Sequence, residues 1–303
     1  MRHLSIYRYV DLVARTGSIR KASESLAITP SALNRRIQAF EDELGYPIFE
    51  RLPRGVRLNA AGELIIGHVR NQLADLDRVR SRIADLEGIR RGHVPIACSQ
   101  ALLPHFLPAE IARYRAAHPA VTFAVLPRDR SAAEKELMDY NCDLALVFEP
   151  VMLAELRPLA IVRQPVHAVM APDHPLAARA VVRLRDCLDF PLCLPTPPYG
   201  VRHLLRQAMA RRAEPLRPAM ESDSFEFLTN AVRGGGGLVT FQIAIGLPAP
   251  DAPSPIVHRP LDPRDVPAGV LVLGQLRSRV LPVASARFAD QLVNSLRRAY
   301  ELL

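Results

Sequence analysis

The sequence predicts an α/β protein in three parts: a small helical head ending in a two-stranded wing, one long helix, and a two-lobed body of doubly wound α/β architecture. Three observations predict it. The first 60 residues read as three short amphipathic helices and a hairpin, and residues 61–88 carry a heptad-spaced apolar seam. From residue 93 onward, short β-rich runs alternate with amphipathic helices. With 303 residues, 49% of them apolar, the chain is long enough for several packed units.

In the head, Ile6, Tyr9, Val10 and Val13 share one face of a first helix that stops at Gly17. Ser18 is placed to cap a second helix, whose Ile19, Ala22 and Leu26 share a buried side. The stretch "AITP" then interrupts the helical pattern. Thr29 is a capping residue, and Pro30 suits the first helical position because its missing N–H has no intrahelical partner there. The proline therefore starts a third helix.

Leu33, Ile37, Phe40 and Leu44 form the core-facing stripe of that helix. Ser31, Asn34, Arg35 and Gln38 form a second stripe with no apolar side chain and no acid. An ordinary solvated face has this composition. So does a helix offered to a major groove, because Asn and Gln pair with adenine and Arg with guanine. Gly45 ends the helix, and "YPIFER", "LPRG" and "VRL" read as a hairpin with Arg51, Arg54 and Arg57 near its tip. Residues 1–60 hold ten Lys/Arg against six Asp/Glu, which is half of the chain's net charge of +8 in a fifth of its length. Basic side chains on such a wing clamp phosphates or enter the minor groove. Of the 39 basic residues 37 are arginine, a bias that genomic base composition explains and that also suits phosphates and guanine edges.

Along the long helix, Ile65, Val69, Gln72, Leu76, Val79, Ile83 and Leu86 step by alternating four and three residues, a heptad seam interrupted by one polar Gln72. Such a seam packs either on its own protein or on the same helix of a second copy. Pairing would set two third helices on successive grooves of a pseudo-palindromic site. The dimerisation candidates are Ile65, Val69, Leu76, Val79, Ile83 and Leu86.

Residues 87–93, "EGIRRGH", read as a hinge. The first lobe runs through "VPIAC", a helix to about 118, "VTFAVL", a helix to 140 and "CDLALVF". The second runs through "PVHAVMA", a short helix at 183–188, "PLCL", a helix at 201–212, "AMESD", a helix at 225–233 and "LVTF". "AGVLVLGQL" and a last helix at 283–302 return to the first lobe, so lobe 1 comprises about 93–164 and 268–303, and lobe 2 about 165–267. Two such lobes imply a cleft between them.

Several functions are not expected. There is no GxSxG, HExxH or GxxxxGK, "RGGGGLV" lacks the strand-glycine-helix context of a dinucleotide site, and the nine histidines show no metal-ligand spacing. Neither an enzyme nor a cofactor or metal is anticipated. Cys98, Cys142, Cys187 and Cys193 sit in or beside apolar runs, as buried reduced thiols do, although Cys187 and Cys193 also fit a thiol switch if an oxidant refolds the second lobe. The start lacks a secretory apolar core, and no run of about 18 apolar residues occurs, so a cytoplasmic protein without membrane contact is expected. A free-standing solute-binding domain would leave the first 60 residues unexplained.

Taken in order, Thr16-Gly17-Ser18, Ala22 with Leu26, Ser31-Ala32-Leu33, Glu43-Leu44-Gly45, Phe49-Glu50-Arg51, "RGVRL" at 54–58 and Ala61-Gly62 resemble the N-terminal pattern of LysR-type transcriptional regulators. The dense match covers about 60 residues. Beyond it, the likeness rests on the lobe pattern, "DHPLA" at 173–177 and the glycine-rich turn before "LVTF". Pro30 stands where the family commonly has glutamine, and Asn34 where it has serine, so the bases read should differ. The resemblance implies a winged helix-turn-helix DNA-binding domain at 1–60, a linker and dimerisation helix at 61–88, and an effector-binding domain at 93–303 built like periplasmic solute-binding proteins. It implies double-stranded promoter DNA, a small-molecule co-inducer, a homodimer or homotetramer that bends DNA, and RNA polymerase as partners, in a bacterial, nucleoid-associated setting. Ligand shifts the bend only if it binds one arrangement better than the other.

On this footing, DNA contacts fall to Ser18, Thr29, Pro30, Ser31, Asn34, Arg35, Gln38, Arg51, Arg54 and Arg57. The positions matching the family's pocket are Ser99, Gln100, Arg128, Thr196 and Phe241, and Arg128 or Arg202 would add a full charge. Helix N-termini favour carboxylates, so a small organic anion is the expected co-inducer.

Overall fold

The head is built from α1 (Arg2–Thr16), α2 (Ile19–Ser25), α3 (Pro30–Leu44) and a hairpin of β1 (Phe49–Leu52) with β2 (Gly55–Leu58), followed by α4 (Ala60–Leu86). The computed structural model describes residues 2–86, 91–151, 154–210, 216–249, 253–277 and 279–300. The chain divides into two units, Met1–Glu87 and Gly88–Leu303, each with its own core.

Local chemistry sets the helix ends of the head. The Ser18 hydroxyl accepts the N–H of Lys21 at 3.4 Å, and the Thr29 hydroxyl accepts that of Ala32 at 3.2 Å. Pro30 occupies the first turn of α3, and Gly45 closes it in the left-handed region at φ +85°. Val13, Ala22, Leu33 and Ile37 make one core, and Val10, Ile48, Ile66 and Val69 a second. The wing is pinned at its root, where the Glu41 carboxylate accepts the N–H groups of Ile48 at 2.7 Å and Phe49 at 3.1 Å. It is pinned again where Val56 donates to the Gly17 carbonyl at 2.9 Å. A Cβ on Gly55, itself at φ +129°, would fall 2.3 Å from that same oxygen, so only glycine fits.

The long helix corrects the expected seam. Val69 is fully buried in the head's own core, and Ile65 packs against it, so neither faces outward as a dimerisation candidate must. Only further along is the apolar row uncovered: Leu76 is half-buried, Val79 47% exposed and Ile83 51% exposed. The side chain of Leu86 lies outside the described residues. Near its start, α4 is tied to α1 by a partly buried Arg70–Asp11 ion pair at 2.8 Å.

In the body, lobe 1 holds β3 (Gly92–Cys98), α5 (Phe106–Ala117), β4 (Val121–Pro127), α6 (Arg130–Met138), β5 (Leu144–Phe148) and β6 (Leu156–Gln164). Lobe 2 holds β7 (Val166–Met170), α7 (Leu184–Cys187), β8 (Leu192–Pro195), α8 (Gly200–Ala210), β9 (Pro218–Ser222), α9 (Phe225–Arg233), β10 (Thr240–Ile243) and β11 (Val257–Pro260). The chain then returns to lobe 1 as β12 (Gly269–Leu276) and α10 (Val283–Ala299). The segment expected as a hinge already contributes Gly92 and His93 to β3; residues 87–90 lie outside the described residues.

Lobe 1 carries a five-stranded sheet in the order β4-β3-β5-β12-β6, with parallel β3 pairings and β12 antiparallel to both neighbours. Lobe 2 is less regular than the alternating pattern suggests. Its strands form an antiparallel β10-β7-β11 sheet and a parallel β8-β9 pair, joined by an isolated bridge between Leu192 and Val239. β6 ends at Gln164 and β7 begins at Val166, so one crossover between lobes is a single residue long.

Candidate nucleic-acid interface and interlobe cleft

On α3, Leu33 and Ile37 are buried while Pro30, Ser31, Arg35 and Gln38 are exposed. Thr29, at the cap, keeps its hydroxyl 3.2 Å from that of Ser31. Asn34 departs from the expectation of a free face. It is half-buried, and its Oδ1 accepts a hydrogen bond from Arg51 at 3.1 Å. The bond to Arg51 takes one lone pair of that oxygen and fixes the orientation of the amide, whose nitrogen and second lone pair are the groups a bidentate pairing with adenine would use.

The same bond corrects the role of Arg51, which reaches to α3 instead of outward from the wing. Arg57 is also engaged, in an exposed ion pair with Glu50 at 2.8 Å. Arg54 stands exposed in the hairpin turn. Ser18 caps α2 with its hydroxyl and is half-buried. Two further basic groups, not singled out by the sequence, frame this surface. Lys21 is exposed on α2, and Arg36 donates to the Tyr9 hydroxyl at 2.5 Å with its guanidinium 5.2 Å from the ring centre. Tyr9 lies 27 residues away, and no local pattern signals that contact.

In the body, the expected ligand positions are largely occupied by the protein itself. Ser99 is buried, and its hydroxyl accepts the N–H of Phe148 at 3.0 Å, which satisfies the end of β5. Gln100 bridges the lobes: its amide donates to the Tyr199 hydroxyl at 2.8 Å and to the Asp223 carbonyl at 2.5 Å, while its oxygen accepts the N–H of Phe225 at 3.2 Å. Arg128 turns back on its own lobe, donating to Glu136 at 2.7 Å and to the Pro127 carbonyl at 2.8 Å. Thr196 is half-buried, and its backbone links Ser222 and Tyr199.

Phe241 is a correction. It is 1% exposed and its ring packs in the hydrophobic core of the body, at a position where the sequence predicts a ligand contact. Its neighbour Gln242 points to the opposite face of the strand, as the two-residue period requires. Arg202 is 8% exposed and holds Glu221 at 3.0 Å with one nitrogen, while its Nε and Nη1 are buried without a hydrogen-bond partner. Burial, the largest influence, lowers its pKa, and the Glu221 carboxylate opposes this. A buried guanidinium with free donors is poised for an acceptor.

The two lobes close on each other at the start of α8. A Cβ on Gly200 would lie 2.7 Å from the Phe148 ring and 3.0 Å from Glu149, so the first turn of α8 abuts lobe 1. Glu149 adopts a left-handed conformation, φ 54°, and its carbonyl accepts a hydrogen bond from Arg130. His203, one turn into α8, is kept below its ordinary pKa by burial and then by the positive charge of Arg130. Tyr199, His203, Arg130 and Glu149 were not legible as a cluster, because they are brought together only by the approach of the two lobes.

The four cysteines are free and buried. Burial pushes the thiols of Cys98, Cys142 and Cys187 up to about 12 and raises that of Cys193, which disfavours the thiolate at all four. Among the described residues there is no cluster of three or more His, Cys, Asp or Glu able to hold a metal, and no helix long and apolar enough to cross a membrane.

Comparison with known proteins matches residues 4–63 to the family "Bacterial regulatory helix-turn-helix protein, lysR family" and residues 87–297 to "LysR substrate binding domain". A relative from Escherichia coli K12, an uncharacterized HTH-type transcriptional regulator YbhD, is 27% identical over 298 residues, covering 97% of this chain and 92% of that one. Full-length OxyR from Pseudomonas aeruginosa, solved as a variant, superposes with a TM-score of 0.70 at 22% identity, over 97% of this chain and 94% of that one. CbnR, solved full-length in complex with its target DNA, superposes with a TM-score of 0.61 at 18% identity, over 96% and 99% of the two chains.

Proposed function

This chain belongs to the LysR family of bacterial transcriptional regulators, and from that premise we propose that α3 of the head reads an operator half-site while the body takes a small organic co-inducer between its lobes. The observation that carries the reading is the division of α3 into two faces. Leu33 and Ile37 fix one against the core, and that orientation leaves Ser31, Arg35 and Gln38 exposed together. Arg35 is the guanine reader of this proposal, and Arg54 on the wing a phosphate contact without base preference. Val79 and Ile83 are the exposed part of the seam through which two copies would pair, which would place two α3 helices on one pseudo-palindrome. RNA polymerase at the promoter, a cytoplasmic, nucleoid-associated location and the absence of catalysis belong to the same reading.

The co-inducer is proposed to be a small anion. Arg202, in the first turn of α8, carries two unpartnered buried nitrogens, the N-terminal end of that helix adds partial positive charge, and Arg130 lies close enough to His203 to act on its charge. Binding in the cleft would exchange the Gln100 bridge for contacts with the ligand.

The decisive experiment measures operator and random-sequence affinities side by side after footprinting has located the operator. Arg35→Ala is expected to weaken operator binding by about 1–3 kcal/mol and to leave random DNA nearly untouched. Equal loss on both sequences would remove Arg35 from base reading. A thermal-shift screen of small carboxylates, repeated on Arg202→Gln, tests the ligand half: the shift should vanish in the variant.

A further inference from the structure

A cavity of about 560 Å³ lies where the Leu103–Pro104–His105 segment of lobe 1 faces α9 and the residues following β10 in lobe 2. Of the six expected ligand positions, Gln100 alone borders it. Its size falls within the range of small-molecule sites, roughly 300–1,000 Å³. We propose that this cavity is a second ligand site, separate from the cleft at the start of α8, and that it takes an uncharged, nucleoside-sized molecule bearing a ring carbonyl and hydroxyl groups.

The buried amide calls for the carbonyl. Gln242 borders the cavity although it is only 4% exposed. Its Oε1 already accepts the N–H of Ile243 at 3.1 Å, and its amide nitrogen remains a donor without formal charge. A wholly apolar occupant would leave that donor unmatched.

The helical wall calls for hydroxyls. α9 brings Glu226, Thr229, Asn230 and Arg233 to the cavity on one helical stripe. The carboxylate accepts and the amide both donates and accepts, which suits neighbouring hydroxyl groups. Thr229 already donates to the Phe225 carbonyl at 2.8 Å and keeps its lone pairs for an incoming donor. Phe225, Leu247 and Ile256 also border the cavity, and they supply apolar surface for the flat face of a ring.

The charges disfavour an ion. Glu226 and Arg233 offset each other, and Arg233 is drawn to the Asn230 carbonyl oxygen at 2.9 Å. His167 pairs with Gln242 across neighbouring strands, and its Nδ1 lies 3.1 Å from Nδ1 of His258. Burial first, and His258 second, bring His167 down to about 4, and burial lowers His258 as well, so this pair adds no cation near neutral pH. An anion would meet the Glu226 carboxylate in the same wall, and the Arg233 guanidinium there is already drawn to Asn230. Because Gln100 holds the lobes together and also borders the cavity, an occupant would bear on the same bridge that the interlobe cleft uses.

The test uses the full chain with three uncharged probes, uridine, thymidine and inosine, titrated by calorimetry and ligand-observed NMR up to about 10 mM. Uridine 5′-monophosphate serves as the charged counterpart. At least one nucleoside is expected to bind saturably. Gln242→Met should weaken it roughly tenfold, the scale of one lost hydrogen bond, and Thr229→Trp should abolish it by filling the cavity from α9. Arg202→Gln, in the other cleft, should leave it unchanged. Should Gln242→Met fail to fold, Asn230→Trp on the exposed side of α9 replaces it. The proposal is overturned if none of the three probes binds, if binding survives Thr229→Trp, if it is lost in Arg202→Gln, or if the monophosphate binds as tightly as the nucleoside.

Discussion

On α3 of the head, Ser31, Arg35 and Gln38 stand in solvent, whereas in the body Ser99, Gln100 and Arg128 each hold a hydrogen bond to another part of the same unit. The difference follows from where the partner comes from. A convex surface that meets a polyanion leaves its donors hydrated until binding, and hydration satisfies them. A closed cleft excludes water, so its polar groups must satisfy one another or remain unpaired at a cost. A ligand of the cleft therefore replaces existing bonds, and its apparent affinity is reduced by the stability of the closed arrangement.

The largest expected effect breaks the head. Leu33→Ala, at a fully buried position, should destabilise that unit by about 2–5 kcal/mol in chemical denaturation followed by a probe in the head. If α3 were a loosely held surface helix, the loss would be far smaller. Next in size is an acid effect confined to the body. Because folding holds His167 at about 4 against its ordinary 6.5, the stabilisation is complete above 6.5 and is lost as the pH falls toward 4, where the native imidazole must finally take up its proton. The expected loss is about 3 kcal/mol, and His167→Gln should flatten the pH dependence of melting between those values. A smaller change, about 1 kcal/mol, is expected from Gln100→Leu, which removes the bridge to Tyr199 and Asp223. Faster hydrogen exchange at the Phe225 amide reports it, and unchanged exchange would show that the lobes do not depend on Gln100. The smallest is Arg54→Ala, which should lower affinity alike for all DNA sequences and reduce the salt slope by roughly one.

Features determined by neighbours in the chain were legible in the sequence. Ser18, Thr29, Pro30 and Gly45 mark helix ends through contacts made within a few residues, and the two stripes of α3 follow from one helical period. Features determined across the fold were not. Asn34 and Arg51 are 17 residues apart, and nothing in either segment announces their bond. Gln100 meets Asp223 across 123 residues. Phe241 and Gln242 exchange roles because the pairing of β10 with β7 decides which of two adjacent residues faces the core. The heptad reading of α4 identified an apolar row correctly but could not say that its first members, Ile65 and Val69, are claimed by the head.

The contact between the wing and the Gly17 carbonyl has a mechanical outcome. With Val56 bonded there and Gly55 too close for any side chain, the hairpin cannot swing independently of the junction between α1 and α2. Wing and α3 thus work like the two jaws of a fixed calliper. A duplex whose groove spacing departs from that gauge must itself be distorted to fit, so this domain is expected to discriminate among promoters by their flexibility as well as by their bases.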